Sequence, residues 1–276
     1  MHCEICSKKL TIFKKLENFD LLRCNECNHT ISNLKINKKY YKETYSQSYV
    51  KDKHKNWMNN PNYPFFEKIL IFIKSKNEGK ILDLGCGTGL LLKYLYKKNP
   101  KFDLTGVDII AKNNKKKEIN FIKKEIFRFL PKKKFFFILS SMVIEHVPRV
   151  NPFIKHIKKI SKRGSYCIIL TINTDSLLYK ISNFLYFLNI KTPFIRLYDP
   201  HHLNHFSRKS LEKVFKKNGF KIIKRIKTPI TMKQIDYPYN NILMKYFLYL
   251  GLAIILKMEA LLNKSWLQTV IFQRKT

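Results

Sequence analysis

Four of the six cysteines lie within the first 27 residues and are spaced as two close pairs. They follow the pattern C-x2-C-x17-C-x2-C, at Cys3, Cys6, Cys24 and Cys27. Each C-x2-C pair forms a tight turn that directs two thiolates to one point, and two such turns complete a closed tetrahedral zinc site. Ser7 and Asn28, which follow the two pairs, are residue types that suit a tight turn. The spacing therefore predicts a structural zinc ion with four ligands and no open coordination position.

The alternative for these cysteines is a pair of disulfide bonds, and the expected compartment disfavours it. No apolar run follows Met1, so the sequence predicts no secretory signal peptide and a reducing, cytoplasmic location. The longest uncharged apolar run, residues 246–256, has 11 residues, whereas a helix needs about 20 to cross a bilayer. We therefore expect a cytoplasmic chain without a membrane-spanning helix, in which zinc stabilises an N-terminal segment too short to build its own core.

A second segment with potential chemistry covers residues 81–89 and reads ILDLGCGTG. A strand enters a glycine-rich turn that opens a helix, so a ligand can approach bare backbone N–H groups. A nicotinamide dinucleotide site would have a third glycine at position 90, where the sequence has Leu90. Asp83, two residues before the first glycine, disfavours a pyrophosphate and favours a cationic ligand. Asp108, at the end of the next strand, can accept both hydroxyls of a ribose.

The elements that must position this turn alternate between short apolar strands and helices, which is typical of an α/β fold with a mostly parallel sheet. Strands are expected over residues 81–84, 103–107, 119–122, 135–139, 166–172, 220–226 and 269–273. Helices are expected over residues 64–76, 90–97 and 207–217. Ser207 is a suitable N-cap for the last of these, and Gly219 a suitable C-terminal stop.

Two apolar helical segments, residues 177–190 and 242–262, interrupt this alternation. One interpretation is that they pack on each other as a cap over the sheet. The other is that they dock on a membrane surface, with lysines at anionic headgroups. The sequence leaves both interpretations open.

The formal net charge of +35 comes from 46 Lys and only 8 Arg. Lys and Asn are encoded by AT-rich codons, so codon bias explains part of this excess. A protein selected to grip phosphates would use more Arg, whose planar fork pairs with them bidentately. The charge therefore keeps nucleic acid as an alternative partner without favouring it.

Taken together, residues 64–274 resemble the class I S-adenosylmethionine-dependent methyltransferases. ILDLGCGTG resembles their first motif, and residues 141–147, SMVIEHV, resemble the "vlEHv" stretch after strand four of the type 11, 12 and 23 families and of ubiquinone-pathway O-methyltransferases. Residues 202–207 with Leu211 and residues 218–220 resemble a late segment of the type 23 group. The resemblance implies a Rossmann-like, mostly parallel seven-stranded sheet. A preceding zinc ribbon resembles an arrangement of many bacterial enzymes, often associated with cell-surface glycan pathways.

The resemblance also implies an S-adenosylmethionine site. Its residues would be Asp83, Gly85, Cys86, Gly87, Thr88 and Gly89 at the methionine end, Asp108 at the ribose, Ile109, Glu125 and Ile126 at the adenine, and Ser140 beside them. One departure is Phe136, which stands where the family often has an acid after the first aromatic residue of strand four.

A hydroxyl acceptor profits from a general base. The resemblance places His146 at the carboxyl end of strand four, beside the cofactor pocket, which makes it the first candidate; the alternative is a histidine that only bonds the local backbone. His202 and His205 are second candidates. Their spacing also suits a metal, but the sequence shows no third ligand for one.

These observations predict a zinc ribbon over residues 1–32, a connector over 33–63 and a methyltransferase domain over 64–276, with helical insertions at about 175–200 and 238–265. The expected function is methyl transfer, with oxygen favoured, to a small-molecule, sugar or lipid-linked acceptor, with peripheral membrane contact left open. The alternatives are an rRNA or tRNA base methyltransferase and a non-catalytic adaptor with a degenerate methyltransferase fold.

Overall fold

The computed structural model describes residues 1–36, 56, 59–76, 79–111, 118–228, 230–236 and 241–276. Most of the expected connector, including its tyrosines at positions 40, 41, 45 and 49, lies outside the described residues.

The N-terminal segment forms an antiparallel sheet of β1 (Leu10–Lys15), β2 (Asp20–Cys24) and β3 (Thr30–Asn33). A fourth strand, β9 (Asn204–His205), joins this sheet beside β3. Thr30 pairs with His205 and Ile31 with Asn204. The ribbon therefore shares its sheet with a segment about 170 residues later in the chain, which the sequence did not predict.

The second sheet contains the glycine-rich turn. Its strands are β4 (Ile81–Leu84), β5 (Leu104–Asp108), β6 (Asn120–Lys123), β7 (Phe135–Ser141), β8 (Ser161–Ile172), β10 (Phe220–Thr228) and β11 (Leu267–Arg274). They lie in the order β10-β11-β8-β7-β4-β5-β6, and β11 alone runs antiparallel to both neighbours. The expected mostly parallel seven-stranded sheet is confirmed. All four residues of β4 are buried, as expected for a parallel strand covered on both faces.

Helices cover both faces of this sheet. They are α1 (Tyr63–Lys74), α2 (Leu90–Lys98), α3 (Val150–Ile160) and α6 (Arg208–Lys217). The sequence analysis missed α3, although Val150, Ile154 and Ile157 share one buried face of it. Ser207 caps α6 as expected, accepting a hydrogen bond from the N–H of Ser210. The ring of Phe136 packs edge-on against that of Tyr166, so an aromatic contact occupies the position where the resemblance often implies an acid.

The two apolar segments form α4 (Leu177–Phe187), α5 (Thr192–Leu197) and α7 (Ile242–Leu262). Helix α4 packs against both α5 and α7. Among the described residues, no helix has both the length and the mean hydropathy needed to cross a bilayer.

Candidate active site

The glycine-rich turn after β4 uses backbone conformations that side chains disfavour. Gly85, Gly87 and Gly89 have φ values of 84°, 54° and 76°, in the left-handed region that glycine adopts without strain. A Cβ on Gly85 would lie 2.3 Å from Cγ2 of Val143, and a Cβ on Gly89 would lie 2.3 Å from Cζ of Phe121. Apart from its two chain neighbours, no described residue has an atom within 4 Å of the Cβ position of Gly87. Val143 and Phe121 therefore pack against the two ends of the turn, and the space beside Gly87 is open, so a ligand can approach the backbone there.

We expect Gly85→Ala to lower the free energy of unfolding more than Gly87→Ala does. Both substitutions place alanine in the left-handed region, at a cost of about 1–3 kcal/mol, but only the first also overlaps Val143. Urea unfolding measures both losses. In a Val143→Ala background the two losses should become closer, because the overlapping methyl group is absent. Equal losses in the wild-type background would contradict this account of the turn.

Two carboxylates flank the turn and differ in their environment. Asp83 is buried, and burial, followed by the charge of Asp108, raises its pKa to about 7. Within the described chain, its Oδ1 has no hydrogen-bond partner. Asp108 accepts hydrogen bonds from the N–H groups of Gly87 (2.8 Å) and Ile110 (3.0 Å), one at each oxygen. Each Asp108 oxygen keeps a further lone pair for a ligand hydroxyl.

Of the other residues expected at the cofactor, Ile109, Glu125 and Ile126 follow strands β5 and β6, and Ser140 lies in β7. Ile109 follows β5 and is 40% exposed, whereas Glu125 follows β6 and forms an ion pair with Arg128 at 3.1 Å. Ile126 begins the short 3-10 turn Ile126–Arg128. Ser140 is buried, and its hydroxyl donates to the carbonyl of Leu84 at 3.1 Å. The Ser140 hydroxyl thus joins β7 to β4.

The remaining two positions of the turn are Cys86 and Thr88. Burial raises the pKa of the Cys86 thiol well above its ordinary value, so the thiol stays protonated and is a poor nucleophile. Thr88 is exposed, and its carbonyl accepts a hydrogen bond from Nζ of Lys93 at 2.9 Å.

The three histidines expected near the acceptor lie close to one another. The rings of His146 and His202 are 4.9 Å apart, and those of His202 and His205 are 6.1 Å apart. His146 Nδ1 lies 2.8 Å from the carbonyl of His201. Because a carbonyl only accepts, this bond places the ring proton on Nδ1 and the lone pair on Nε2.

His205 differs from the other two because it is fully buried in the shared N-terminal sheet. Its Nε2 lies 3.0 Å from Oγ of Ser32. Burial, followed by the nearby His29, lowers the pKa of His205 to about 3, so its imidazole is neutral at physiological pH.

Glu145 is a buried acid that the sequence analysis did not single out, although it precedes His146 in the motif. Burial raises its pKa to about 8, and its Oε2 accepts a hydrogen bond from Thr171 at 2.9 Å. Glu145, His146 and His202 each bring a potential ligand atom within 4.8 Å of the others. The structure thus places a third candidate metal ligand, Glu145, beside two of the histidines, where the sequence analysis found none.

The sequence analysis also missed an Asp199–His201 pair. His201 bonds to Asp199 Oδ1 through both Nδ1 and its backbone N–H, the latter at 2.8 Å. Burial opposes ionisation of Asp199, but the His201 bonds outweigh it and lower the pKa of this carboxyl. The sequence signal was the run Asp-Pro-His-His over residues 199–202, directly before the family-like late segment.

The four N-terminal cysteines form one compact cluster. Cys6 Sγ lies 3.2 Å from Cys24 Sγ and 3.6 Å from Cys27 Sγ, and Cys3 Sγ lies 3.6 Å from Cys27 Sγ. A tetrahedron with zinc–sulfur bonds of about 2.3 Å has edges of about 3.8 Å. The sulfur positions therefore fit a zinc ion.

The turns that present these thiols have the expected left-handed residues. Ser7 has a φ of 61° and Asn28 a φ of 57°. The N–H of Ser7 donates to the carbonyl of Cys3 and that of Asn28 to the carbonyl of Cys24, both at 2.8 Å. The two turns thus repeat the same geometry around the cluster.

A family model described as a methyltransferase domain, Methyltransf_23, matches residues 58–225, which is more than half of the chain. This range contains the glycine-rich turn, both flanking carboxylates and the histidine cluster.

Two curated relatives are each 29% identical to this chain: malonyl-[acyl-carrier protein] O-methyltransferase 2 of Ilyobacter polytropus over 119 residues, and ubiquinone biosynthesis O-methyltransferase of Rickettsia bellii over 127 residues. These matches cover 40% and 43% of the chain, and 46% and 52% of the relatives. The chain thus spans about half the length of the curated relatives it matches.

A solved structure shares the fold over nearly the whole chain. It is 1,6-didemethyltoxoflavin-N1-methyltransferase of Burkholderia thailandensis with S-adenosylhomocysteine bound, similar with a TM-score of 0.56 and 10% identity, covering 97% of this chain and 100% of that one.

Proposed function

We propose, from the premise that this chain belongs to the Methyltransf_23 family of S-adenosylmethionine-dependent methyltransferase domains, that it methylates an oxygen of a small-molecule, sugar or lipid-linked acceptor. The observation that carries the proposal is the glycine-rich turn, which is packed at both ends and open at Gly87. It lies between Asp83 and Asp108, at the carboxyl ends of β4 and β5. Both curated relatives are named O-methyltransferases, which supports oxygen as the methylated atom.

In this proposal the chain holds S-adenosylmethionine along the edge of the sheet. Asp83, with its unpartnered oxygen, faces the cationic methionine end, where the open backbone around Gly87 allows close approach. Asp108 accepts the ribose hydroxyls, and the adenine lies between Ile109 and Ile126, with Glu125 at its amino group. When bound, the cofactor supplies an activated methyl group for in-line displacement by the acceptor. The protein aligns the acceptor oxygen with that methyl and excludes water.

The base in this proposal is His146, which lies one turn beyond Val143 and hence close to the glycine-rich turn. The carbonyl of His201 holds the ring proton on Nδ1, so Nε2 has the lone pair that can accept a proton from the acceptor hydroxyl. The Asp199–His201 pair fixes the position of that carbonyl. We assign His202 to the wall of the acceptor site and His205 to positioning, because His205 is buried away from solvent.

Calorimetry with S-adenosylmethionine tests the core of this proposal. We expect the wild-type chain to bind it, and Asp108→Ala to weaken binding by about a hundredfold, because hydrogen bonds to a charged group contribute about 1.5–3 kcal/mol each. Asp103→Ala is the matched control, since Asp103 precedes β5 and forms a half-exposed ion pair with Lys80. Absence of binding, or equal affinity of the two variants, would contradict the proposed site.

A transfer assay with a radiolabelled methyl group tests the base. We expect His146→Ala to lower kcat by about 10²–10⁴-fold while the Kd for S-adenosylmethionine stays the same. His2→Ala, at an exposed histidine of the ribbon, is the control and should leave both values unchanged. An undiminished kcat in His146→Ala would remove His146 from the mechanism.

A further inference from the structure

Helices α4, α5 and α7 expose an unusual amount of apolar surface. We call this surface the apolar face, and its most exposed members are Phe187, Ile242, Leu243, Phe247 and Leu261, with exposed fractions from 67% to 82%. On α7 the exposed apolar residues run from the first turn to the last. Globular proteins rarely leave a contiguous apolar patch of this extent open, and such patches mark an interaction site.

The exposed charges on the segments that form the apolar face have one sign. Residues 177–197 and 241–264 contain exposed basic residues and a single acid. The basic residues are Lys180, Lys191, Arg196, Lys245, Lys257 and Lys264. The acid, Glu259, is only 2% exposed, and it accepts hydrogen bonds from the N–H groups of Leu178 and Trp266 at 2.9 and 2.8 Å. Within these two segments, the exposed apolar side chains are therefore accompanied by exposed charges of positive sign only.

Exposed apolar side chains together with exposed basic residues favour one kind of partner. A second copy of the chain would bring the same basic residues against each other, and the repulsion would oppose such a dimer. A bilayer with anionic headgroups satisfies both features, because the apolar side chains enter the acyl boundary while lysine stems extend toward the headgroups. Helix α7 does not cross the membrane by its composition, so it would lie in the interface plane over its length of about 30 Å.

We propose that the apolar face docks this protein on the surface of an anionic bilayer. The inference is independent of the proposed methyl transfer, because it rests only on the exposure and charge of these helices. Glu259 fixes α7 to the start of α4 and to the residue before β11, so a docked α7 stays rigidly joined to the catalytic domain.

Vesicle flotation of the full-length chain tests the apolar part of the proposal. We expect binding to vesicles of phosphatidylcholine with phosphatidylglycerol, and about tenfold or more weaker binding to phosphatidylcholine alone. Phe247→Glu/Ile254→Glu should weaken binding to the anionic vesicles by about a hundredfold, since these residues lie on one side of α7 and are 68% and 61% exposed. Ile71→Glu/Leu130→Glu, at sites 60% and 58% exposed elsewhere, is the matched control and should bind like wild type.

A second pair of variants separates the local charge from the overall charge of the chain. Lys245→Glu/Lys257→Glu should weaken binding to anionic vesicles by about tenfold or more, because each basic residue near such a surface contributes about fivefold. Lys162→Glu/Lys221→Glu changes the net charge equally at exposed sites on β8 and β10, and should have little effect.

Unfolding midpoints equal to wild type would show that the variants are folded. Equal weakening by each variant and its control would overturn the proposal, as would absence of vesicle binding. Sedimentation that shows a dimer abolished by Phe247→Glu/Ile254→Glu would assign the face to a second copy instead.

Discussion

Replacing Cys24 with serine is expected to release zinc, unfold the N-terminal ribbon and abolish methyl transfer. Structural zinc supplies roughly 10–16 kcal/mol in small zinc-binding peptides near neutral pH, which is as large as the whole stability of a typical domain. The ribbon has few residues of its own to compensate, and the four sulfur atoms form its centre. Metal analysis of the purified wild-type chain should show one zinc per molecule, and the variant should show none.

The effect should reach the candidate active site because the ribbon holds the segment with His201, whose carbonyl bonds to His146, together with His202 and His205. Strand β3 pairs with β9, and Ser32 donates to the carbonyl of His202 at 2.8 Å. Arg23 donates to the Tyr198 hydroxyl at 3.0 Å. Ser207 donates to the carbonyl of Cys27 at 2.8 Å. Loss of the ribbon therefore removes contacts at the beginning, middle and end of residues 198–207.

Cys167→Ser is the matched control for the zinc prediction. It makes the same change of atom at a cysteine buried in β8, away from the cluster. We expect it to lower the unfolding midpoint modestly and to leave the zinc content and the affinity for S-adenosylmethionine unchanged. Full zinc content in Cys24→Ser would contradict the assignment of the ligand. Undiminished methyl transfer by the zinc-free variant would instead contradict the structural link between ribbon and site.

This link also shows which features a sequence can predict. The cysteine cluster and the turns at Ser7 and Asn28 depend on residues close together in the chain, and their spacing was sufficient to predict them. The strands of the larger sheet and the helices α1, α2 and α6 were predictable for the same reason, since each of these apolar runs is local, whereas α3 was missed. Strand β9 has only two residues, and its partner lies about 170 positions away, so no local pattern marks it. The Asp199–His201 pair, by contrast, joins residues only two positions apart, so the Asp-Pro-His-His run was a local signal that the sequence analysis did not use.

Replacing Asp83 with asparagine is expected to weaken S-adenosylmethionine binding and to stabilise the cofactor-free chain at alkaline pH. In the wild type, burial raises the pKa of Asp83 to about 7. A cationic ligand favours the ionised carboxyl, so binding below pH 7 must first remove a proton. Wild-type affinity should therefore rise by up to about tenfold per pH unit toward pH 7 and level off above it. Asp83→Asn should bind weakly and lose this pH dependence.

Although Asp83→Asn should weaken binding, it should raise the stability of the chain at high pH. The reason is that the folded wild-type chain holds the Asp83 proton more tightly than the unfolded chain does. The contribution of this group is fully present below its ordinary pKa of 3.8 and is lost as the pH rises through about 7. The difference between these two pKa values corresponds to about 4 kcal/mol in the free energy of unfolding. At pH 8 the wild type carries this cost and Asp83→Asn does not, so the variant should be the more stable by up to about 4 kcal/mol. At pH 4 the two should be nearly equal.

Urea unfolding of the cofactor-free chain from pH 4 to pH 8 measures the difference in the free energy of unfolding between wild type and Asp83→Asn. The contributions of other buried acids, such as Glu145, are the same in both chains and cancel in this difference. Asp103→Asn is the control, because Asp103 is half exposed and paired with Lys80. The cationic end of a bound cofactor would favour the ionised form of Asp83 and so offset this cost. Should Asp83→Asn prove less stable than wild type at pH 8 and bind S-adenosylmethionine as tightly, Asp83 would be a structural residue, and the cationic end of the cofactor would have to lie elsewhere.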